Sequence, residues 1–148
     1  MNKSSFEEIL KSEGRLVYSN VGTSMLPLIR QGRDLLIIEK TSGRLDKYDV
    51  PLFRRPDGKY VLHRVIKVCP DGYVLRGDNQ LIKEKGVTDE QILGVLTAVV
   101  RGGKEIRTAS PRCRAYARIW CALFPVRAPF LLWCAALRRL RKRIRKKS

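Results

Sequence analysis

Acidic residues are missing from the last quarter of this chain. Residues 111–148 carry 12 of the 31 Lys and Arg and no Asp or Glu, whereas residues 1–110 set 19 basic groups against all 14 acidic ones. The net charge of +17 is therefore mostly a property of the C-terminal segment. It calls for a polyanionic partner of that segment, either anionic lipid or nucleic acid. Histidine is nearly absent as well, His63 being the one copy. The four cysteines, Cys69, Cys113, Cys121 and Cys134, form no Cys-x-x-Cys pair, and His63 is not spaced as a zinc partner for any of them. No metal or other cofactor is called for. The cysteines read as free thiols, the three in the apolar C-terminal region as buried ones. The first residues, MNKSSFEEILKSEGRL, lack the apolar run of a secretion signal, which gives a cytoplasmic N-terminus as the expectation. No internal repeat appears, and no low-complexity stretch precedes the tail.

What is present is the composition of a folded domain: 148 residues, 44% hydrophobic and 30% charged. Residues 1–14 predict a short amphipathic helix in which Phe6, Ile9 and Leu10 share a face and Gly14 ends the run. The pattern then changes. RLVYS, DLLIIEK, DVPLF, KYVLHRVIKVC, GYVLRG and QILGVLTAVVRG are short, rich in Val, Ile, Leu and Tyr, and bounded by turn signals. Two of those signals are Pro-Asp-Gly, at Pro56–Gly58 and Pro70–Gly72, where proline presets one turn dihedral and glycine accepts the positive one. The chain is thus expected to be mainly β, a compact antiparallel domain over residues 15–105 with helical segments at both ends. A boundary falls near residues 102–111, at Gly102–Gly103 and TASPR.

Beyond it lies the arm, residues 111–148. Its run from Ile119 to Leu137 is mostly apolar but contains Arg127, Pro125 and Pro129. A spanning helix needs about 20 apolar residues, and a central arginine costs roughly 2.5–3.5 kcal/mol on insertion scales. Two short helices with a bend between them fit better than a straight span. Phe130, Trp133, Leu137, Leu140 and Ile144 recur at helical spacing as one apolar stripe, with Arg138, Arg139, Arg141, Lys142, Arg143 and Arg145 on the other faces. That is the pattern of a helix lying in a membrane interface with its basic groups at the headgroups. A helix packed on the β domain with a solvated tail is the alternative.

Three polar side chains stand out, each with an ordinary explanation. Ser24, in VGTSMLPLIRQG, could cap a short helix over Met25–Arg30 ended by Gly32; a hydroxyl there would lie among free backbone N–H groups suited to an oxyanion. His63, in YVLHRVIKV, shares a strand face with Val61 and Val65, as a satisfied core histidine or a base in a dry site. Asp78, in LRGDNQ, occupies a sequence common in turns. A serine nucleophile needs a base, and the base needs an acceptor to fix its tautomer. His63 is the one histidine to serve.

Taken in order, these blocks resemble the type I signal peptidase superfamily, which shares its β fold with self-cleaving SOS-type repressors. GTSMLPLIRQGRDLLII is similar to the nucleophile box, a Ser-Met-x-Pro ahead of a strand. YVLHRVIKV is similar to the base box, in the His-Arg-Val form of the reticulum and archaeal branch. LRGDNQ and ILGVL are similar to the Gly-Asp-Asn box and its following strand. The match covers roughly residues 15–101. The resemblance implies Ser24 as nucleophile, His63 as general base and Asp78 as the group that orients His63, with the Ser24 N–H as an oxyanion donor. It implies hydrolysis, through an acyl-enzyme, of an extended leader or signal peptide bound along a strand edge. Gly22 replaces a serine that aids the oxyanion hole in many members, leaving Thr23 or backbone to serve. The second acidic residue of the reticulum-type enzymes aligns with Glu84. The family's N-terminal anchor is lacking; the membrane-directed segment stands at the C-terminus, and its charge favours the cytoplasmic face.

Two other functions compete with this one. A self-cleaving repressor needs a DNA-binding module, for which the 23 residues before Ser24 leave no room. A non-catalytic binding module on the same fold, held to membrane or nucleic acid by its tail, is the stronger alternative. The β domain offers no basic, aromatic-rich strand face for nucleic acid, which argues against that partner.

Overall fold

The computed structural model describes residues 4–19 and 22–147. The chain opens with helix α1 (Ser4–Ser12), whose Leu10 is buried and whose Phe6 and Ile9 pack on the same apolar cluster, as the spacing predicts. Gly14 adopts φ 68°, a left-handed conformation that glycine takes without steric penalty, and the chain turns into the β domain.

Among the described residues nine strands follow: β1 (Arg15–Ser19), β2 (Asp34–Glu39), β3 (Pro51–Arg54), β4 (Tyr60–Leu62), β5 (Arg64–Cys69), β6 (Gly72–Arg76), β7 (Lys83–Val87), β8 (Ile92–Arg101) and β9 (Lys104–Arg107). Every pairing is antiparallel. One sheet runs β1-β2-β8-β3-β4 with β9 also on β8; the other runs β5-β6-β7. Both Pro-Asp-Gly turns close hairpins. Arg55 N–H donates to Lys59 O across the first, and Cys69 faces Gly72 across the second. The chain is mainly antiparallel β, with a short N-terminal helix and two C-terminal helices.

The core has two centres. Leu16, Met25, Ile29, Leu36, Ile38 and Leu96 belong to the cluster that α1 covers. Phe53, Val65, Tyr73, Leu75 and Val87 form a second, drawn from both sheets. The chain enters the second sheet through one residue and returns to the first through residues 88–91. β4 ends at Leu62 and β5 begins at Arg64, so the segment read as one strand changes sheet at His63. Leu62 lies in the first cluster, while Val61 and Val65 pack in the second, as the alternation requires.

Several expectations are corrected. The helix over Met25–Arg30 does not form. A turn spans this stretch, with one Ile29 N–H bond to Met25 O and a cis Leu26–Pro27 bond, so Ser24 caps no helix. Pro27 supplies no N–H, and the burial of Met25 and Ile29 fixes the loop instead. Strands β7 and β9 were not foreseen: KEKGV and KEIR lack the apolar alternation that marks a half-buried strand. With β9 the β domain runs past residue 105, and Gly102–Gly103 form the β8–β9 hairpin turn rather than a domain boundary. The cysteines are free but only half-buried.

The arm forms α2 (Pro111–Ala122) and α3 (Phe124–Lys147). Ser110 caps α2, accepting from Cys113 N–H, and Pro111 occupies its first turn. The break falls at Leu123, Pro129 is carried inside α3, and α3 is long rather than short, with 24 residues. No single described helix is long and apolar enough to cross a membrane; the two, bent by 68°, pass that test only as a pair.

One buried charge fixes the end of the Ser24 loop. The Asp34 carboxylate accepts from Arg30 N–H at 2.8 Å and from Arg101 at 2.8 and 2.6 Å, and Arg101 also donates to Leu28 O. The Arg101 hydrogen bond holds the Asp34 carboxyl below its usual value. A depressed folded-state pKa adds stability that is complete above the unfolded value of about 3.9 and lost as pH falls through the folded one. Asp34→Asn is therefore expected to lower unfolding free energy in urea by about 2–3 kcal/mol at pH 7. The gap to wild type should narrow below pH 4.

Candidate active site

Ser24 is held from two sides. Met25 and Ile29, both fully buried, anchor the residues after it in the first core cluster. Before it, Gly22 adopts φ 136°, a conformation that disfavours any residue with a side chain. The Gly77–Asn79 loop after β6 closes the other side. Asn79 N–H donates to Ser24 O at 2.8 Å, and the Asn79 side-chain amide donates to Thr23 O at 3.2 Å. The approach is so close that a Cβ on Gly77 would stand 2.7 Å from Ser24 O. Ser24 itself is half-buried, and its backbone N–H donates to no partner among the described residues.

His63, at the change of sheet, is 1% exposed and lies 6.1 Å from the Phe53 ring, centroid to centroid. Its Nδ1 is 2.8 Å from Glu84 Oε1 on β7. The distance is that of a hydrogen bond but the alignment falls short of one. Glu84 is in turn gripped by Arg55, which donates Nε to Oε2 at 2.8 Å and Nη2 to Oε1 at 2.5 Å. Burial, the strongest influence, pushes the imidazole below its usual pKa, and Glu84 offsets this only in part. Burial would raise the Glu84 carboxyl, but the Arg55 hydrogen bond and the nearby charges outweigh it and hold it low. The result at pH 7 is a neutral imidazole facing a carboxylate through Nδ1. That favours the Nδ1–H tautomer and leaves Nε2 as the basic nitrogen.

Asp78 is not the residue that orients His63. Its carboxylate takes two parallel hydrogen bonds from Arg64, both 2.7 Å, in a pair whose side chains are 4% and 2% exposed. Tyr116 OH of α2 donates to the same carboxylate at 3.0 Å. A guanidinium matches a carboxylate with two donors at once, and a buried arginine has no better partner. Asp78 O accepts from Trp120 Nε1 and from Arg127, both at 3.0 Å. Arg127 also stacks over the Trp120 ring at 3.7 Å, and Arg76 over Phe124 at 3.3 Å. The arginine that interrupts the apolar run is thus part of the joint between the arm and the β domain.

A cleft of about 470 Å³ opens at Ser24. Thr23, Ser24, Arg55 and Glu84 line one side; Leu131, Ala135, Arg138 and Arg139 of α3 line the other. A larger cleft, about 550 Å³, lies between α1 and the β3–β4 turn and holds no nucleophile. Of the residues singled out from sequence, Ser24, Thr23 and Glu84 share the smaller cleft, with His63 against Glu84. Asp78 does not line that cleft. No hydrogen bond joins Ser24 to His63 among the described residues. Arg138 and Arg139 face the cleft, while Phe130, Trp133 and Leu137 point outward at 60%, 60% and 37% exposure. Arg55 was not foreseen, since only the pairing of β6 with β7 brings Glu84 to it. No group of His, Cys, Asp and Glu among the described residues could hold a metal ion. The chain matches no family model, no curated protein and no solved structure.

Because His63 is the single histidine, its titration is directly readable by NMR. Its midpoint is expected below 6.5 and should fall further in Glu84→Gln, since that carboxylate favours the charged ring. Asp78→Asn should move it less. A larger shift in the Asp78 variant would return Asp78 to the orienting role.

Proposed function

We propose that the chain is a serine endopeptidase of signal-peptidase type that cleaves extended leader or signal peptides. The observation that carries this reading is the Arg55–Glu84–His63 chain of contacts beside a cleft lined by Ser24 and Glu84. Ser24 is the nucleophile and His63 the general base, with Glu84 and Arg55 as positioning residues. Ser24 Oγ attacks the scissile carbonyl carbon while its proton passes to His63 Nε2. The carbonyl oxygen becomes an oxyanion, for which the Ser24 N–H is one donor. Collapse breaks the C–N bond, and His63 returns its proton to the leaving amine. Water then attacks the Ser24 ester with His63 again as base, releasing the acid and restoring the hydroxyl.

The imidazolium formed on the way is buried beside Glu84, whose charge offsets part of its desolvation. The proposed fold is that of the signal peptidases and SOS-type repressors; in its support, the Gly77–Asn79 loop contacts both Ser24, through Asn79, and Arg64, through Asp78. The basic arm is proposed to rest on an anionic membrane at its cytoplasmic face. The outward stripe of Phe130, Trp133, Leu137, Leu140 and Ile144 would enter the interface, with Arg141 among its headgroup contacts.

Ser24→Ala and His63→Ala are each expected to reduce hydrolysis of alanine-rich extended peptides by ~10⁴-fold or more, with unchanged melting for Ser24→Ala and a lowered but still cooperative melt for His63→Ala, whose ring is buried. Wild-type activity should rise as His63 loses its proton, with a midpoint below pH 6.5, and be level by pH 7 to 8. Undiminished cleavage in either variant would sink the reading, and a folded but silent wild type would leave a binding module. Separately, Phe130→Glu with Trp133→Glu should abolish flotation with anionic vesicles; retained flotation would rule out insertion of the stripe.

A further inference from the structure

The face that α3 turns to Ser24 is built from Leu131, Ala135, Arg138 and Arg139, which follow one another at helical spacing. The apolar stripe from Phe130 to Ile144 lies roughly 180° around the helix axis. One helix thus presents two different surfaces, and the arginines of the first are turned away from the stripe proposed to meet lipid.

The charges in the cleft do not balance. Glu84 is the one acidic residue lining it, and Arg55 and His63 already occupy that carboxylate. Arg138 and Arg139 have no acidic partner among the described residues, and the arm carries no acid of its own. Around them the lining is mixed, with Leu81, Ile82, Leu131 and Ala135 beside the uncharged polar Asn79 and Gln80. Nor is this wall loosely placed. Trp120 and Arg127, either side of the α2–α3 break, are both bonded to Asp78 O, on the loop that holds Ser24. We infer that Arg138 and Arg139 are specificity residues, and that the cleft takes an extended peptide with acidic side chains beside apolar ones near the scissile bond. This rests on the peptidase reading for the word scissile, but the binding preference is separable from catalysis. A guanidinium reads a carboxylate with two donors, so the arginines favour carboxylates over neutral amides of the same shape.

The test uses the full-length Ser24→Ala chain in uncharged detergent, with fluorescein-labelled, alanine- and leucine-rich decapeptides containing two Glu, two Gln or two Lys. The Glu peptide is expected to bind about tenfold more tightly than the Gln peptide, the scale of two partly solvated ion pairs. Arg138→Gln with Arg139→Gln should bring the two within about twofold, and Arg138→Glu with Arg139→Glu should shift the preference to the Lys peptide. Equal binding of Glu and Gln peptides overturns the inference, as does a preference that survives the double glutamine variant. So does a double variant that loses binding to phosphatidylserine vesicles while keeping its peptide preference, since the arginines would then serve lipid. Wild-type cleavage of Glu and Gln peptides is followed in parallel. Cleavage without charge preference fails the inference and spares the peptidase reading; charge-selective binding without Ser24-dependent cleavage does the reverse.

Discussion

The buried pair of Arg64 and Asp78 is the joint on which three parts of the molecule converge. Arg64 opens β5 and is almost wholly removed from water, where an unpartnered guanidinium is not tolerated. Asp78 meets it with both carboxylate oxygens, and Asp78 belongs to the loop whose next residue, Asn79, holds the Ser24 carbonyl. The same residue receives Tyr116 on its side chain and Trp120 and Arg127 on its backbone. Removing one partner of such a pair typically costs about 3–5 kcal/mol, because the other charge is left buried. Here the loss would also release the serine loop and the arm.

A second chain of charges, Arg55–Glu84–His63, sits on the opposite side of the base segment. Successive residues of an extended strand point to opposite faces, so His63 and Arg64 meet different carboxylates. The division has a chemical consequence. Both carboxylates take two donors from an arginine, but Asp78 also accepts from Tyr116 and is nearly sealed from water. Glu84 is held more openly, at 19% exposure, and its Oε1 faces both Arg55 and Nδ1 of His63. The imidazole is held below its usual pKa because burial outweighs that carboxylate.

Much of the strand framework was legible from local pattern. Five of the six strand segments read from sequence form near their expected places, and the sixth forms as two strands divided at His63. β-branched alternation and turn chemistry act within a few residues, so they leave their mark on a short window. β7 and β9 escaped because their polar composition gives no such mark; each is a strand only because a neighbour offers a ladder of hydrogen bonds. The helix expected after Ser24 failed for the converse reason, since the burial of Met25 and Ile29 outweighs a weak local preference.

The amino-acid order by itself determined the antiparallel β character, both Pro-Asp-Gly hairpins, the polarity of the charge and the choice of Ser24 and His63 as the residues to watch. It did so because propensity, turn geometry and residue scarcity are local or compositional. Which carboxylate meets His63 was decided only by the pairing of β6 with β7, which brings Glu84 to the imidazole while Arg64 claims Asp78. The fate of the arm's arginines was decided in the same way. Charge and helical phase placed Arg138 and Arg139 among the headgroup-facing residues, but a helix has as many faces as neighbours. The anchoring of Trp120 and Arg127 on Asp78 turns that face of α3 toward Ser24.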